Sequence, residues 1–403
     1  MRDNGKNADG EEAEGRTKND DRRPQDHPSR LGRIGPLVTA ALPERLRITH
    51  LDLLMNLDMT RPLPETMYAW GRILEPYRRH DNARGALELV VTGVPFAALW
   101  LASWAAYSSG HLWLSLLLAI PAGGFLVRLF MIQHDCGHGS FVSNKRLGDW
   151  IGRTIGVFTL TPYDAWRRTH AAHHATCGNL DRRGMGDIKT LTVREYAELS
   201  GFQRFAYRLY RHPLILFGLG PTYLFLIQQR LPVGLMGGGW RPWLSTQGTN
   251  LVVAAIAGLL VWRLGLGAFA FVHLPIVLLA ASAGVWLFYV QHQFERTSWE
   301  SSERWSYAHA ALHGSSYYDL PPGLRWLSAN IGVHHVHHLC SRVPYYQLDA
   351  VLRDYPQLRD VGRISLIESF RSVRLTLWDE DRQKLVSFAD ASTGGMAHGA
   401  SGT

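Results

Sequence analysis

Cysteine is scarce here: Cys136, Cys177 and Cys340 are the only three in 403 residues. An odd number with no closely spaced pair argues against a disulfide framework and against a closed cysteine zinc site, and it fits a reducing compartment. The chain also lacks a lysine-rich arm or a nucleic-acid reader motif. Its net charge of +8 comes instead from arginines scattered beside apolar runs, which read as contacts to lipid headgroups. Apolar residues are nearly absent from the first 33 positions, which carry eight basic and eight acidic side chains. That composition predicts a solvated, disordered tail over 1–50 with no signal-peptide core. A second polar tail is expected over 386–403.

Between the tails the chain is rich in apolar and aromatic residues, 46% hydrophobic with 14 Trp, while the mean hydropathy stays at −0.10. This mixture suggests one membrane domain over 51–385 with much of its chain in water. Four stretches approach the roughly 20 residues needed to cross a bilayer: about Ala86–Tyr107, Leu112–Ile132, Thr249–Leu264 and Ala268–Val290. Short turns join the first pair and the last pair, so both read as helical hairpins. A fifth apolar stretch, Pro213–Gln228, contains Pro213, Gly218, Gly220 and Pro221, which weaken a helix. It reads as interfacial, with Trp240 and Trp243 just downstream in the headgroup belt. Between Phe141 and Arg211 there are 12 Lys/Arg against six Asp/Glu. The positive-inside bias then places this segment and both termini in the cytoplasm. The expected fold is an all-α integral membrane protein: four transmembrane helices in two hairpins, under a cytosolic helical cap carrying a two-metal site.

Nine of the 19 histidines fall in three windows, His134-Asp-Cys-Gly-His138, His170-Ala-Ala-His173-His174 and His334-His335-Val-His337-His338. Residues three and four apart share a helix face, so each window presents at least two imidazoles together. The candidate ligands are His134 and His138, then His170, His173 and His174, then His334, His337 and His338. His292, at the end of the fourth span, is a ninth. Eight or nine imidazoles exceed the needs of one ion, so two metals are expected. Nitrogen ligands alone admit zinc, copper, iron or nickel. The outer N–H groups of such ligands need acceptors, and Asp135, Asp164, Asp181 and Asp187 are candidates. Cys136 reads as a buried inert thiol, and Arg128 as a side chain reaching for the cytoplasmic surface. His335, His309, His313, His273, His212 and His111 read as ordinary hydrogen-bonded or solvated histidines, with His313 the nearest of them to the site.

HDCGHGSF, LTPYDAWRRTHAAHH, YVQHQFE and HHVHHLCSRVPYYQL, in this order and with these spans, resemble the membrane fatty acid desaturases, and in particular their omega-6 (Δ12-type) acyl-lipid branch. The resemblance covers roughly Arg61 to Arg374. It implies that the nine named histidines bind two iron ions that activate O2, and that a cis double bond is introduced into a lipid acyl chain. It also implies a multi-pass protein of the bacterial inner membrane. With no His-Pro-Gly-Gly haem motif, electrons are expected from a separate donor, ferredoxin or cytochrome b5. The nearest rival is a membrane di-iron hydroxylase of alkyl or lipid substrates. A histidine-rich metal transporter is disfavoured, because its histidines would lie inside the spans.

This topology is testable with a reporter that works only outside the cytosol. Fusions after Ser109 or Gly265 should give signal, and fusions after Gly184, after Gly239 or at the C-terminus should stay silent. Signal at Gly239 would mean that Pro213–Gln228 crosses, which would put the third histidine window on the wrong side of the membrane.

Overall fold

The computed structural model describes residues 63–64 and 66–391. The tail expected over 1–50 and the end of the chain from 392 lie outside the described residues. Of the end segment expected from 386, Val386 closes a strand and the described residues continue to Ala391.

Helix α1, Asn82–Ser108, starts where the Asp81 carboxylate accepts the Arg84 amide, and it ends at a turn whose Gly110 has φ 81°. Helix α2, Leu112–His138, runs back beside it and stops at Gly139, whose left-handed φ of 67° suits a residue without a Cβ. Two amphipathic helices follow, α3 at Lys145–Phe158 and α4 at Tyr163–Thr176. Helix α5, Gly201–Tyr210, leaves Phe202, Phe205 and Leu209 exposed along one face. The stretch read as interfacial is broken into a π-helical turn at Ile215–Leu219, a short helix at Gly220–Leu226 and a 3-10 turn at Gln228–Arg230. One side packs Phe217 against Trp286 and Tyr289, and the other exposes Leu214, Leu219 and Tyr223.

Among the described residues, three helices are long and apolar enough to cross a membrane: α1, α2 and a 53-residue run, Trp240–His292. At 1.5 Å per residue that run would be about 80 Å long, more than twice the roughly 30 Å of bilayer hydrocarbon. It is not straight. Gly265 adopts φ 86° and ψ 159°, breaking α6 (Trp240–Ala268), and a π-helical turn at Phe269–His273 leads into α7 (Leu274–His292). Just past the break, Gly267 lies so close to the Tyr107 hydroxyl that a Cβ has no room. Helix α2 is the central post: 56% of its apolar window is buried against 11% for α1, and it packs on α1, α3 and α7.

The domain is mostly helical, but not all-α as expected. Five strands of two or three residues pin the connecting loops of the cap. Leu191–Thr192 (β1) pairs in parallel with Leu377–Asp379 (β4), which pairs antiparallel with Lys384–Val386 (β5). Tyr317–Asp319 (β2) pairs in parallel with Arg363–Ser365 (β3). Further short helices in the cap are α8, Tyr307–His313, α9, Pro322–Leu327, and α10, His334–Leu339.

Arg128 does not reach for the surface. It is 2% exposed and paired with Glu88 of α1, itself 1% exposed. Its Nε donates to Thr92, another Nη donates to the Trp326 carbonyl, and the guanidinium lies 4.1 Å over the Trp326 ring. The counter-charge one helix away removes the reason to snorkel.

Close packing next to the third histidine window gives a stability test. Gly332 is pressed against the backbone carbonyl of Tyr318 in β2, which cannot yield as a side chain could. Gly332→Ala should destabilise the protein by about 1–3 kcal/mol, read as a lower midpoint of thermal unfolding in detergent. Gly258→Ala in α6, where nothing lies within 4 Å of the new methyl group, should leave that midpoint unchanged or raise it.

Candidate metal centre

Each of the nine candidate histidines lies at the end of an element or on a short cap helix. His134 and His138 lie one turn apart at the end of α2, and His292 is the last residue of α7. Helix α4 carries His170, His173 and His174, with the Trp166 ring stacked 4.7 Å from His170. Helix α10 carries His334, His337 and His338. It is fixed to α7 through Ser316, whose carbonyl accepts from the amides of His334 and His335 and whose amide donates to the Gln291 carbonyl. The Gln291 side chain donates to the Ile331 carbonyl, and the Gln293 oxygen accepts from Thr190 and Arg211.

The fold brings all nine together. His134, His138, His170, His174 and His337 form one group whose potential ligand atoms lie within 4.8 Å of one another. His173, His292 and His338 form a second group with Cys177. His334 joins the second group, its Nε2 lying 3.0 Å from that of His292 and 3.1 Å from that of His338. The groups abut where the His174 and His338 rings stack at 4.1 Å. Within them, six pairs of Nε2 atoms approach to 3.0–3.2 Å.

These approaches are not ordinary hydrogen bonds. His173 Nδ1 lies 2.5 Å from Asp187 Oδ1, and His292 Nδ1 lies 3.3 Å from the Gly314 carbonyl. Both acceptors require the proton on Nδ1, which leaves a lone pair on each Nε2. Those two lone pairs face each other at 3.2 Å, and that repulsion is relieved by a cation between them. An octahedral ion with metal–nitrogen bonds of about 2.1 Å has adjacent ligands about 3.0 Å apart. The residues therefore fit a pair of nitrogen-ligated metal ions. Burial first, and the neighbouring imidazoles second, hold His170, His174, His334, His337 and His338 well below the usual imidazole range, in the neutral form a metal needs. Burial pushes the Asp187 carboxyl up, but the His173 hydrogen bond, helped by the Gly184 amide, keeps it below its ordinary value.

Of the four aspartates expected behind the ligands, two are there. Asp135 Oδ1 lies 3.1 Å from His134 Nδ1, and Asp187 backs His173. Asp164 instead pairs with Arg153, and Asp181 accepts from the Ser302 amide. His335 is fully buried outside both groups, with Nε2 2.9 Å from the Leu358 carbonyl. The His309 and His313 rings lie 4.6 Å apart, tilted by 41° to each other, and Cys136 is a buried free thiol. The residue that sequence reasoning passed over is Cys177. Its Sγ lies 3.4 Å from His292 Nδ1, and burial pushes its thiol up. The signal was available, since Cys177 follows His173 by four positions.

A cavity of about 1060 Å³ opens at these histidines. His134, His170 and His334 line one part of it, and the rest of its wall is mostly apolar, including Leu126, Phe130, Leu216, Val277 and Phe288. It runs between α2, α7 and the broken 215–230 segment. Unactivated alkyl groups are the chemistry such a wall accommodates beside a metal.

Comparisons with known proteins agree with this picture. Residues 111–365, which contain all nine histidines, match the family model for fatty acid desaturases. The chain is 44% identical over 312 residues to a Bacillus subtilis (strain 168) fatty acid desaturase, covering 77% of this chain and 88% of the relative. It is 29% identical over 276 residues to a Synechocystis sn-1 acyl-lipid omega-3 desaturase (ferredoxin), covering 64% and 70%. An Anabaena variabilis sn-1 oleoyl-lipid 12-desaturase is 23% identical over 316 residues, covering 72% and 79%.

The aspartates behind the histidines supply a graded test. Asp187→Asn should weaken metal retention by about 10–100-fold, measured by chelator competition on the purified protein. Asp181→Asn, which faces a backbone amide, should leave retention unchanged.

Proposed function

Because the chain belongs to the fatty acid desaturase family, whose members are oxidoreductases, we propose that it introduces a cis double bond into the acyl chain of a membrane lipid at a di-iron centre. The observation that carries this reading is the convergence of nine imidazoles, three of which line a large, mostly apolar cavity. We assign His134, His138, His170, His173, His174, His292, His334, His337 and His338 as the ligands. Two irons bound there would supply O2 activation strong enough to take hydrogen from an unactivated methylene.

The balance of the reaction is two hydrogens from adjacent methylenes, one O2, two electrons and two protons, giving the alkene and two waters. The protein's part is positional. A methylene offers no polar handle, so the apolar wall fixes which carbons lie beside the histidines and keeps bulk water away. Phe288, whose ring lies 5.1 Å from both His173 and His292, is placed to hold the chain against the second group. Asp135 and Asp187 hold their imidazoles in the tautomer that leaves Nε2 free for metal.

The membrane arrangement belongs to the same proposal. The break at Gly265 supports two crossings within the 53-residue run, and thus four in all. The ligand-bearing ends of α2 and α7 then lie at one bilayer surface, which we take as the cytoplasmic one. The exposed apolar faces of α5 and the 215–230 segment suit that interface. The double bond is proposed at the Δ12 (omega-6) position of a lipid-linked chain, with ferredoxin or cytochrome b5 as donor. A relative named as an oleoyl-lipid 12-desaturase and another named with ferredoxin support that choice.

Expression in a host that makes only saturated and monounsaturated lipids, followed by fatty-acid profiling, tests the reaction. A new diene is the expected product, and an alcohol would identify a hydroxylase instead. In the same assay His292→Ala should lose iron and all desaturation, while Gln291→Ala and Gln293→Ala only weaken it. His335→Ala should keep most activity. Normal iron and activity in the His292 variant would strike that residue from the ligand set.

A further inference from the structure

The Glu88–Arg128 pair is more than a link between two helices. The Tyr345 hydroxyl donates to Glu88 Oε2 at 2.9 Å, and the Arg128 guanidinium lies 5.5 Å over the Tyr345 ring. The backbone amide of Tyr345 donates to Asp135 Oδ2 at 2.7 Å, and Asp135 Oδ1 meets His134 Nδ1. A continuous chain of contacts thus runs from a buried ion pair to a histidine of the five-imidazole group. Glu88, Arg128, Asp135 and Tyr345 are each no more than 2% exposed.

A stabilising role alone does not account for it. A buried ion pair rarely outperforms apolar residues of similar volume, because desolvation offsets the attraction. What polar contacts add is direction. Glu88 accepts from Arg84, Arg128 and Tyr345 together, so the Tyr345 ring has one place to sit. Its amide is then fixed, with Asp135 between that amide and the imidazole. Both carboxylate oxygens of Asp135 are engaged, so its plane cannot turn without breaking one contact.

We propose that Glu88, Arg128 and Tyr345 are positioning residues for the metal centre: through Asp135 they set the tautomer and tilt of His134, and so how tightly the five-histidine group retains its ion. This rests on the metal-centre reading above.

The test is iron retention against a chelator, on full-length protein in detergent, with thermal unfolding measured in parallel. Arg128→Met leaves Glu88 buried without its main partner and should weaken retention by about tenfold, the lower end of the range for residues behind metal ligands. Tyr345→Phe removes one hydroxyl and should shift retention in the same direction by less. Combining Glu88→Gln with Arg128→Met removes both charges while keeping an acceptor for Tyr345, and should recover much of the loss. A purely structural pair would lower the unfolding midpoint with retention unchanged. Wild-type retention in both single variants would overturn this inference alone. Failure of the wild-type chain itself to retain iron would overturn the metal-centre reading and this inference with it.

Discussion

Neutral imidazoles with lone pairs facing one another at about 3 Å repel, so the site's geometry holds only if the rest of the structure forces it. None of the three windows could do so alone. On α4, His170 and His174 are one turn apart, yet the imidazoles that meet their Nε2 atoms, His138 and His337, come from 32 and 163 residues away. Each contributing element is therefore anchored by bonds that have nothing to do with the metal. Ser316 ties α10 to the end of α7, and the Gly139 cap stops α2 just after His138. Metal would complete an arrangement that packing has already set.

The same constraint explains why α2 is the post of the fold. Its outer half is apolar, while its inner end carries Gln133, His134 and Asp135, all buried. Polar side chains at that depth are costly unless paired. Gln133 accepts from Thr159, His134 leans on Asp135, and Asp135 takes the Tyr345 amide. The cap is thus bonded to the membrane helices through the residues on either side of His134. The apolar cavity occupies the neighbouring space between α2 and α7, so the cavity and the histidine groups share a wall built by two helices.

How much of this was legible in the sequence depends on the range of the interaction. The histidine windows and the hairpin turns are local patterns, and periodicity exposes them. The weakness of 213–228 as a span was legible too, because proline and glycine act on their own neighbours. Arg128 was misread because its partner, Glu88, lies 40 residues away in a stretch that otherwise looks like plain lipid-facing helix. Asp164 was likewise a reasonable second partner for a histidine until Arg153 came within reach of it in three dimensions. The short strands leave no alternation to detect at two or three residues, and only pairing partners reveal them. Cys177 sat in plain view on the His173 face, but its relevance depended on where the end of α7 would land.

One asymmetry follows from the partners behind the ligands. In the second group, His173 is backed by a carboxylate that stays ionised, whereas His292 leans on a neutral carbonyl and a thiol. A charged acceptor makes an imidazole a stronger donor to metal than a carbonyl does. In the first group the Asp135 carboxyl backs His134, and His174 Nδ1 is buried with no partner among the described residues. Imidazoles within each group therefore differ in basicity, and the two groups differ in number, five imidazoles against four. Two chemically identical metals placed there would not be electronically equivalent. The count separates the two groups, while Asp135 and Asp187 each set one imidazole apart within its group, and so the differences depend on the loops and helices that hold those two side chains in place.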